Sequence, residues 1–378
     1  CSLVSVNAQA FDSYGHGQEL TQSPVCWNCA TDYAQVLNAL LADPAHSFRL
    51  RDQLAYVFWT REKTDFSLNM LSDPQPEEVR ALLSAPYKGK QASLDDGNRF
   101  YALALSGSGG RVVIRDWLET TVANAKSNLA DYFAALDLVD QEGQSGDPLP
   151  LFTYEQHRCL LGAIVPNKGS DRWKHLPPNL AASVVRAALN GSPMPQTLLY
   201  RAVARARSEQ GLTRPRAALM KLCLLRSAHN KEELNLTADL NPNLQDPAYL
   251  CGRLLAILEN VQYAAIPGAK ATLVDRYYGT ASSAPASVFG NLIRQAQAHL
   301  SKLRKTNEGA HYRLQQALEG VVGQLGDFPR TLTLTDQAKF GLGYYQQRAA
   351  DRAAAVEAKA RKAAKADNAV TEGGDDNV

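Results

Sequence analysis

The feature that most constrains the fold is a change in hydrophobic period near residue 117. Before it, residues 55–60 read AYVFWT, a β-branched and aromatic run typical of a strand. Residues 100–117 read FYALALS, then GSGG, then RVVIRDW, which predicts a β-hairpin with glycines in its turn. After it, apolar residues recur every three or four positions, as in amphipathic helices. The sequence therefore predicts an α+β N-terminal part, followed by a predominantly α-helical part with a C-terminal helical bundle.

Helical patterns fill most of the chain after this change, and one precedes it. The clearest runs from Val288 to Leu303, with Ser287 as the expected N-cap, and the pattern at 32–41 places Val36 on a buried stripe. The other patterns lie at 118–139, 151–164, 178–190, 195–209, 214–228, 251–262, 309–325 and 335–352. We divide the chain into a mixed α+β region (1–120), a basic helical region (121–234), a C-terminal helical bundle (235–350) and an Ala/Lys-rich tail (351–378), which we expect to be helical at first and then disordered.

Charge is segregated along the chain although the formal net charge is only +2. Residues 95–155 contain ten acidic residues against four lysines and arginines, whereas residues 158–226 contain twelve lysines and arginines against two acidic residues. Arginine suits phosphate because its planar guanidinium can donate two parallel hydrogen bonds. The basic stretch therefore predicts contact with a nucleic-acid backbone. A solvated helical surface, or ion pairs with the acidic stretch, would also explain it.

The candidate nucleic-acid-binding residues are basic and lie in loops or on helix faces. Arg201 and Arg205 are four positions apart and share one helix face, whereas Leu199 and Val203 mark the opposite, buried face. A second basic face lies on the helix at 288–305, where a purely solvated surface is the alternative. The full set is Lys168, Arg172, Lys174, Arg201, Arg205, Arg207, Arg214, Arg216, Lys221, Arg276, Arg294, Lys302, Arg304 and Lys305.

The sequence contains no strong catalytic, cofactor or metal pattern. Cys26 and Cys29 form a single CxxC without a second pair or a histidine at ligand spacing. The GSGG run lacks the Lys-Ser/Thr of a phosphate-binding loop, and neither an HExxH helix nor a GxSxG elbow occurs. No apolar run approaches the roughly 18 residues that span a bilayer. We therefore expect a non-enzymatic protein with no cofactor, no metal and no membrane partner, located in the cytoplasm.

Five segments are too distinctive to be generic helix or strand. In chain order they read SLVSVNAQAFDSYG (2–15), FYALALSGSGGRVVIRDWLE (100–119), MPQTLLYRAVARARSE (194–209), RYYGTASSAPASVFGNLIRQAQAHLSKLR (276–304) and FGLGYYQQR (340–348). Together they resemble the large subunit of the type I-C CRISPR surveillance complex, known as Cascade, from about residue 2 to about residue 348. The resemblance also implies that an N-terminal portion of that subunit precedes Cys1 and is missing here.

The resemblance implies a scaffold subunit of an RNA-guided complex. Guide RNA reads the sequence in such complexes, while protein contacts go mostly to shape and backbone. The implied partners are the crRNA-containing Cascade backbone and processing subunits, a small subunit resembling the C-terminal bundle of this chain, target double-stranded DNA with its displaced strand, and the helicase-nuclease. The implied role is to bind DNA and support R-loop formation. A helical protein–protein adaptor whose basic patch docks an acidic partner is the main alternative, and a nuclease is the third.

Overall fold

The computed structural model describes residues 25–50, 54–84, 97–108, 111–151, 160–166, 172–227 and 235–372. Within these ranges, a small antiparallel sheet lies in the N-terminal half and helices make up most of the remainder. This confirms the predicted order of an α+β part followed by a predominantly helical part. The segment at 2–15 and Lys168 lie outside the described residues.

The sheet contains four antiparallel strands that pair in chain order. They are β1 (Ser47–Leu50), β2 (Leu54–Thr60), β3 (Arg99–Ser108) and β4 (Arg111–Thr121). β3 and β4 form the predicted hairpin, with Gly107 inside β3 and residues 109–110 outside the described ranges. β1 pairs with β2 but is too short for the sequence pattern to have predicted it.

Twelve helices lie in the described part of the chain. They are α1 (Trp27–Ala42), α2 (Asn69–Ser72), α3 (Pro76–Ser84), α4 (Val122–Leu136), α5 (Pro178–Asn190), α6 (Gln196–Ser208), α7 (Arg214–Leu225), α8 (Pro247–Ala265), α9 (Leu273–Ala281), α10 (Phe289–Thr306), α11 (Glu308–Gln324) and α12 (Leu334–Glu372). Short 3₁₀ turns lie at Leu161–Ile164, Arg172–His175 and Pro285–Ser287. Of the helix predicted at 151–164, residues 152–159 lie outside the described ranges, and the described residues include the 3₁₀ turn Leu161–Ile164.

Three predicted helix details are wrong. α4 begins at Val122 because β4 continues through Thr121, whose hydroxyl accepts a hydrogen bond from the Asn124 amide as the N-cap. α10 begins at Phe289, after the turn that contains Ser287, and has no side-chain cap. Val36 is exposed, so the buried stripe on α1 is narrower than the sequence pattern suggests. By contrast, the prediction that the Ala/Lys-rich segment begins as helix is confirmed, because α12 extends to Glu372.

The α8–α12 pair forms the centre of the C-terminal bundle, and two glycines explain how closely the helices approach. A Cβ added to Gly252 on α8 would lie 1.9 Å from the carbonyl oxygen of Phe340, and one on Gly343 of α12 would lie 2.2 Å from that of Tyr249. Only a residue without a Cβ fits such contacts. α10 and α11 pack on α8, while α6 and α7 pack on α12. No helix in the described ranges is both long and apolar enough to cross a membrane.

Candidate nucleic-acid interface

Two of the predicted basic residues, Arg205 and Arg216, bind the same carboxylate at the corner between α6 and α7. Arg216 is buried and donates to the carboxylate of Glu209 at 2.8 Å, and to the backbone carbonyls of Ala163 and Gly211 at 3.2 and 3.3 Å. Arg205 donates to the other carboxylate oxygen of Glu209. Burial lowers the pKa of the Arg216 guanidinium, and the neighbouring Glu209 opposes that shift. Both arginines therefore brace the α6–α7 corner.

Arg214 and Lys221, also on α7, hold the acidic segment that follows α4. The Arg214 guanidinium donates to the carbonyl oxygens of Leu138 and Asp147, each at 2.9 Å from Nη2. Lys221 is buried and its Nζ donates to the carbonyl oxygen of Asp137 at 2.7 Å. Burial lowers the pKa of both cations, with nearby carboxylates acting in the opposite direction. The acidic stretch of the sequence is thus contacted by its own basic stretch.

The 3₁₀ turn before α5 contains two further predicted residues. Arg172 is buried, with its guanidinium carbon 4.7 Å from the ring centroid of Trp173, whereas Lys174 is exposed. Arg201 on α6 donates to the carbonyl oxygen of His175 at 2.7 Å, which ties this turn to α6. Of these three residues, Lys174 has the most accessible side chain.

Arg207 and Arg276, although distant in sequence, lie on the rim of one open depression of about 480 Å³ between α6 and α9. Both side chains are exposed, and neither makes an ion pair or a side-chain hydrogen bond within the described part of the chain. Ser208, Thr280 and Ser283 add hydroxyl groups to the lining. Within the described residues, the depression therefore presents two unpaired guanidiniums and several hydroxyls, a suitable set for phosphate oxygens.

Gln210 lines this depression and connects the end of α6 to α9. Among the described residues, Gln210 is the one residue other than glycine whose backbone has a positive φ, which is 51°. Its side-chain oxygen accepts a hydrogen bond from the Gly279 amide at 3.1 Å, which links the end of α6 to α9. Ser283 in turn donates to the Gly279 carbonyl at 2.8 Å. The Gln210–Gly279 bond thus ties α6 to α9, the two helices that carry Arg207 and Arg276.

The basic face of α10 is defined by Arg294, Lys302, Arg304 and Lys305, and all four side chains are exposed. The opposite side of α10 is buried through Leu292, Ala296, Leu300 and Leu303. Arg294 donates to the Asn291 side chain at 2.8 Å, and Lys302 donates to the carbonyl of Ala265 at the end of α8, also at 2.8 Å. Arg304 and Lys305 make no side-chain bond within the described residues.

Most tyrosines near the basic helices could stack on an unpaired base only if they were exposed, and three of them are core residues. Tyr278, Tyr344 and Tyr345 are buried, and Tyr278 makes edge-to-face contact with Tyr344 at 5.5 Å between ring centroids. Tyr312 on α11 is 62% exposed. The sequence analysis missed Tyr263, which is 69% exposed at the end of α8. Tyr263 lies where the apolar helical pattern gives way to a turn with Pro267 and Gly268, and this position could have indicated that its side chain is exposed.

The CxxC pair caps a helix. The Cys26 sulfur accepts a hydrogen bond from the Cys29 amide at 3.4 Å as the N-cap of α1, and this bond lowers the pKa of the Cys26 thiol. In the described ranges, no group of three or more His, Cys, Asp or Glu side chains could hold a metal ion. Cys223 and Cys251 are buried free thiols, and burial raises the pKa of each to about 12.

A match to a known protein family covers almost the same residues as the sequence motifs do. The family model described as CRISPR-associated protein (Cas_Csd1) matches residues 1–351. No curated protein is significantly similar to the chain. The match covers the sheet, the basic helices and all of the C-terminal bundle up to the middle of α12.

Proposed function

Because this chain belongs to the Cas_Csd1 family of CRISPR-associated proteins, we propose that it is part of the large, non-catalytic subunit of a type I-C Cascade complex. In this role it contacts the backbone of target DNA and of the displaced strand, and so supports R-loop formation. Its partners are the crRNA-bearing backbone and processing subunits, a small subunit similar to its C-terminal bundle, and the helicase-nuclease. The complex acts in the cytoplasm.

The observation that carries this proposal is that Arg207 and Arg276 lie on the same depression. These two exposed guanidiniums lie on one depression without any acidic partner in the described chain. The depression is open rather than enclosed, so an extended polyanion can lie across it. Neutralising a phosphate releases condensed counterions from the nucleic acid, which gives such a site favourable free energy at moderate salt.

The proposed binding set is narrower than the sequence suggested. It comprises Lys174, Arg207, Arg276, Arg294, Arg304 and Lys305, whose side chains are exposed. Arg205, Arg214, Arg216, Lys221 and Lys302 are instead assigned to holding the fold, because their side chains donate to other parts of the chain. Sequence specificity is left to the guide RNA.

The test is charge reversal at the depression in the assembled complex. We expect the double variant Arg207→Glu/Arg276→Glu to bind target duplex at least tenfold more weakly, with the log–log slope of affinity against salt reduced by about 2. The matched control is Arg61→Glu/Arg80→Glu, two exposed arginines of the N-terminal half. Equal affinity and equal salt slope for the two double variants would contradict the proposal. Failure of the first variant to enter the complex would favour the adaptor alternative.

A further inference from the structure

A second cavity, of about 500 Å³, opens at the C-terminal end of α8. It is lined by α8, by the turn between α8 and α9, by one face of α12 and by Arg313 of α11. Its size falls within the range of small-ligand pockets, which runs from roughly 300 to 1,000 Å³. The depression between α6 and α9 has a different lining, so this cavity is a separate site.

The inner wall of the cavity carries two partly buried carboxylates that already have partners. Glu259 lies 3.3 Å from Nε of Arg348 and accepts a hydrogen bond from Tyr344 at 2.9 Å. Asp351 accepts from the side-chain amides of Asn260 and Gln347 at 3.1 and 3.0 Å. Burial raises the pKa of both acids despite these contacts. These contacts fix the side chains of the wall, which offers carboxylate and amide oxygens as acceptors.

The outer part of the cavity is cationic and aromatic. Arg313 is exposed and makes no ion pair within the described residues, and Arg352 makes a single hydrogen bond, to Gln141 at 3.1 Å. Tyr263 and Ile266 line the same opening and are 69% and 42% exposed. An aromatic ring next to guanidiniums is the combination that binds unpaired nucleotides, since the ring stacks on a base while the arginines neutralise phosphate.

We propose that this cavity binds one unpaired nucleotide of a nucleic-acid strand. Its base stacks on Tyr263, its phosphate lies near Arg313 and Arg352, and the polar edge of the base faces Asn260 and Asp351. This inference rests on the proposed function, because it assumes that a strand crosses the helical bundle. It adds a defined base-binding position to what would otherwise be backbone contact alone.

The test uses the purified chain and 12-nucleotide oligomers with one central 2-aminopurine, as DNA and as RNA of the same sequence. We expect Tyr263→Ala to weaken binding of the single-stranded oligomer about tenfold and to abolish the quenching of 2-aminopurine. Tyr263→Phe should retain both, because it keeps the ring. Tyr312→Ala is the matched control, an exposed tyrosine on α11 that does not line the cavity.

The outcomes distinguish a failure of this inference from a failure of the proposed function. A loss confined to the DNA oligomer assigns the nucleotide to a DNA strand, and a loss confined to the RNA oligomer assigns it to RNA. The base-binding cavity is wrong if Tyr263→Ala binds the oligomer as tightly as the wild-type chain does. It is also wrong if Tyr312→Ala loses as much affinity as Tyr263→Ala. In both cases the proposed function stands. If the wild-type chain and the intact complex bind no nucleic acid, both fail together.

Discussion

The basic residues of α7 and those of α10 look alike in sequence but differ in their surroundings. On α7, Arg216 and Lys221 are buried and bonded to the chain itself, whereas on α10 Arg304 and Lys305 are exposed. α7 reads RPRAALMKLCLL, which is apolar around almost the whole helix, and such helices are buried on all sides. α10 is amphipathic, so its cations face solvent. The role of a charge follows from the helix that carries it.

The largest effect that would test this difference is the loss of Arg216. We expect Arg216→Met to lower the free energy of unfolding by about 3 kcal/mol, because it leaves Glu209 with Arg205 as its remaining cation and removes the guanidinium that binds the carbonyls of Ala163 and Gly211. Urea denaturation of the purified chain measures it. The matched control, Arg304→Met on α10, should change stability by less than about 1 kcal/mol. Equal losses for the two variants would remove the distinction between the helices.

Lys221 gives a smaller effect with a characteristic pH dependence. Its pKa is lowered by burial, so the unfolded chain binds this proton more tightly than the folded chain does. Stability in the wild type should therefore rise with pH as the solution passes from the lowered folded pKa to the ordinary lysine value. Lys221→Met should lack this rise, which denaturation curves at several alkaline pH values can show. Parallel pH profiles for the two proteins would contradict a buried, charged Lys221.

Much of the fold could be predicted from local patterns, because those patterns depend on neighbouring residues. The hairpin of β3 and β4 follows from alternation around GSGG, and the helices α5, α6 and α11 follow from apolar spacing. β1 has only four residues, and its strand character comes from pairing with β2. Likewise, the β-branched Thr120 and Thr121 extend β4 into residues 118–121, which the hydrophobic spacing had predicted to be helical.

The site was less predictable, since pairing depends on contacts between distant residues. Arg214 bonds to Leu138, 76 positions away, and no local pattern shows that contact. Arg207 and Arg276 were both candidates, but only the fold shows that they share one depression. The apolar character of α7 could have indicated that its cations are buried. The sequence thus predicted which residues are basic and helical, and the tertiary structure decides which remain available.

A third prediction concerns the basic face of α10. We expect Arg294→Gln/Arg304→Gln/Lys305→Gln to weaken binding of target duplex by the assembled complex about tenfold, because up to three phosphate contacts are lost. Stability should fall by no more than about 1 kcal/mol, since two of these cations lie in the last turn of α10 and favour its dipole. Gel-shift titration at two salt concentrations measures the affinity. Unchanged binding would mean that this face is merely solvated.

The smallest expected effect separates Lys302 from its neighbours on the same face. Its Nζ donates to the Ala265 carbonyl at the end of α8, where a helix leaves carbonyls without internal partners. We expect Lys302→Gln to cost about 0.5 kcal/mol of stability and to leave DNA affinity nearly unchanged. Arg294→Gln, which loses only a contact within α10, should show the reverse: full stability and weaker binding. The contrary outcome is that Lys302→Gln weakens binding as much as Arg294→Gln does. That result would mean that the Lys302 ammonium of the wild type leaves the end of α8 and contacts phosphate. Exposure alone would then decide which cations of α10 contact DNA.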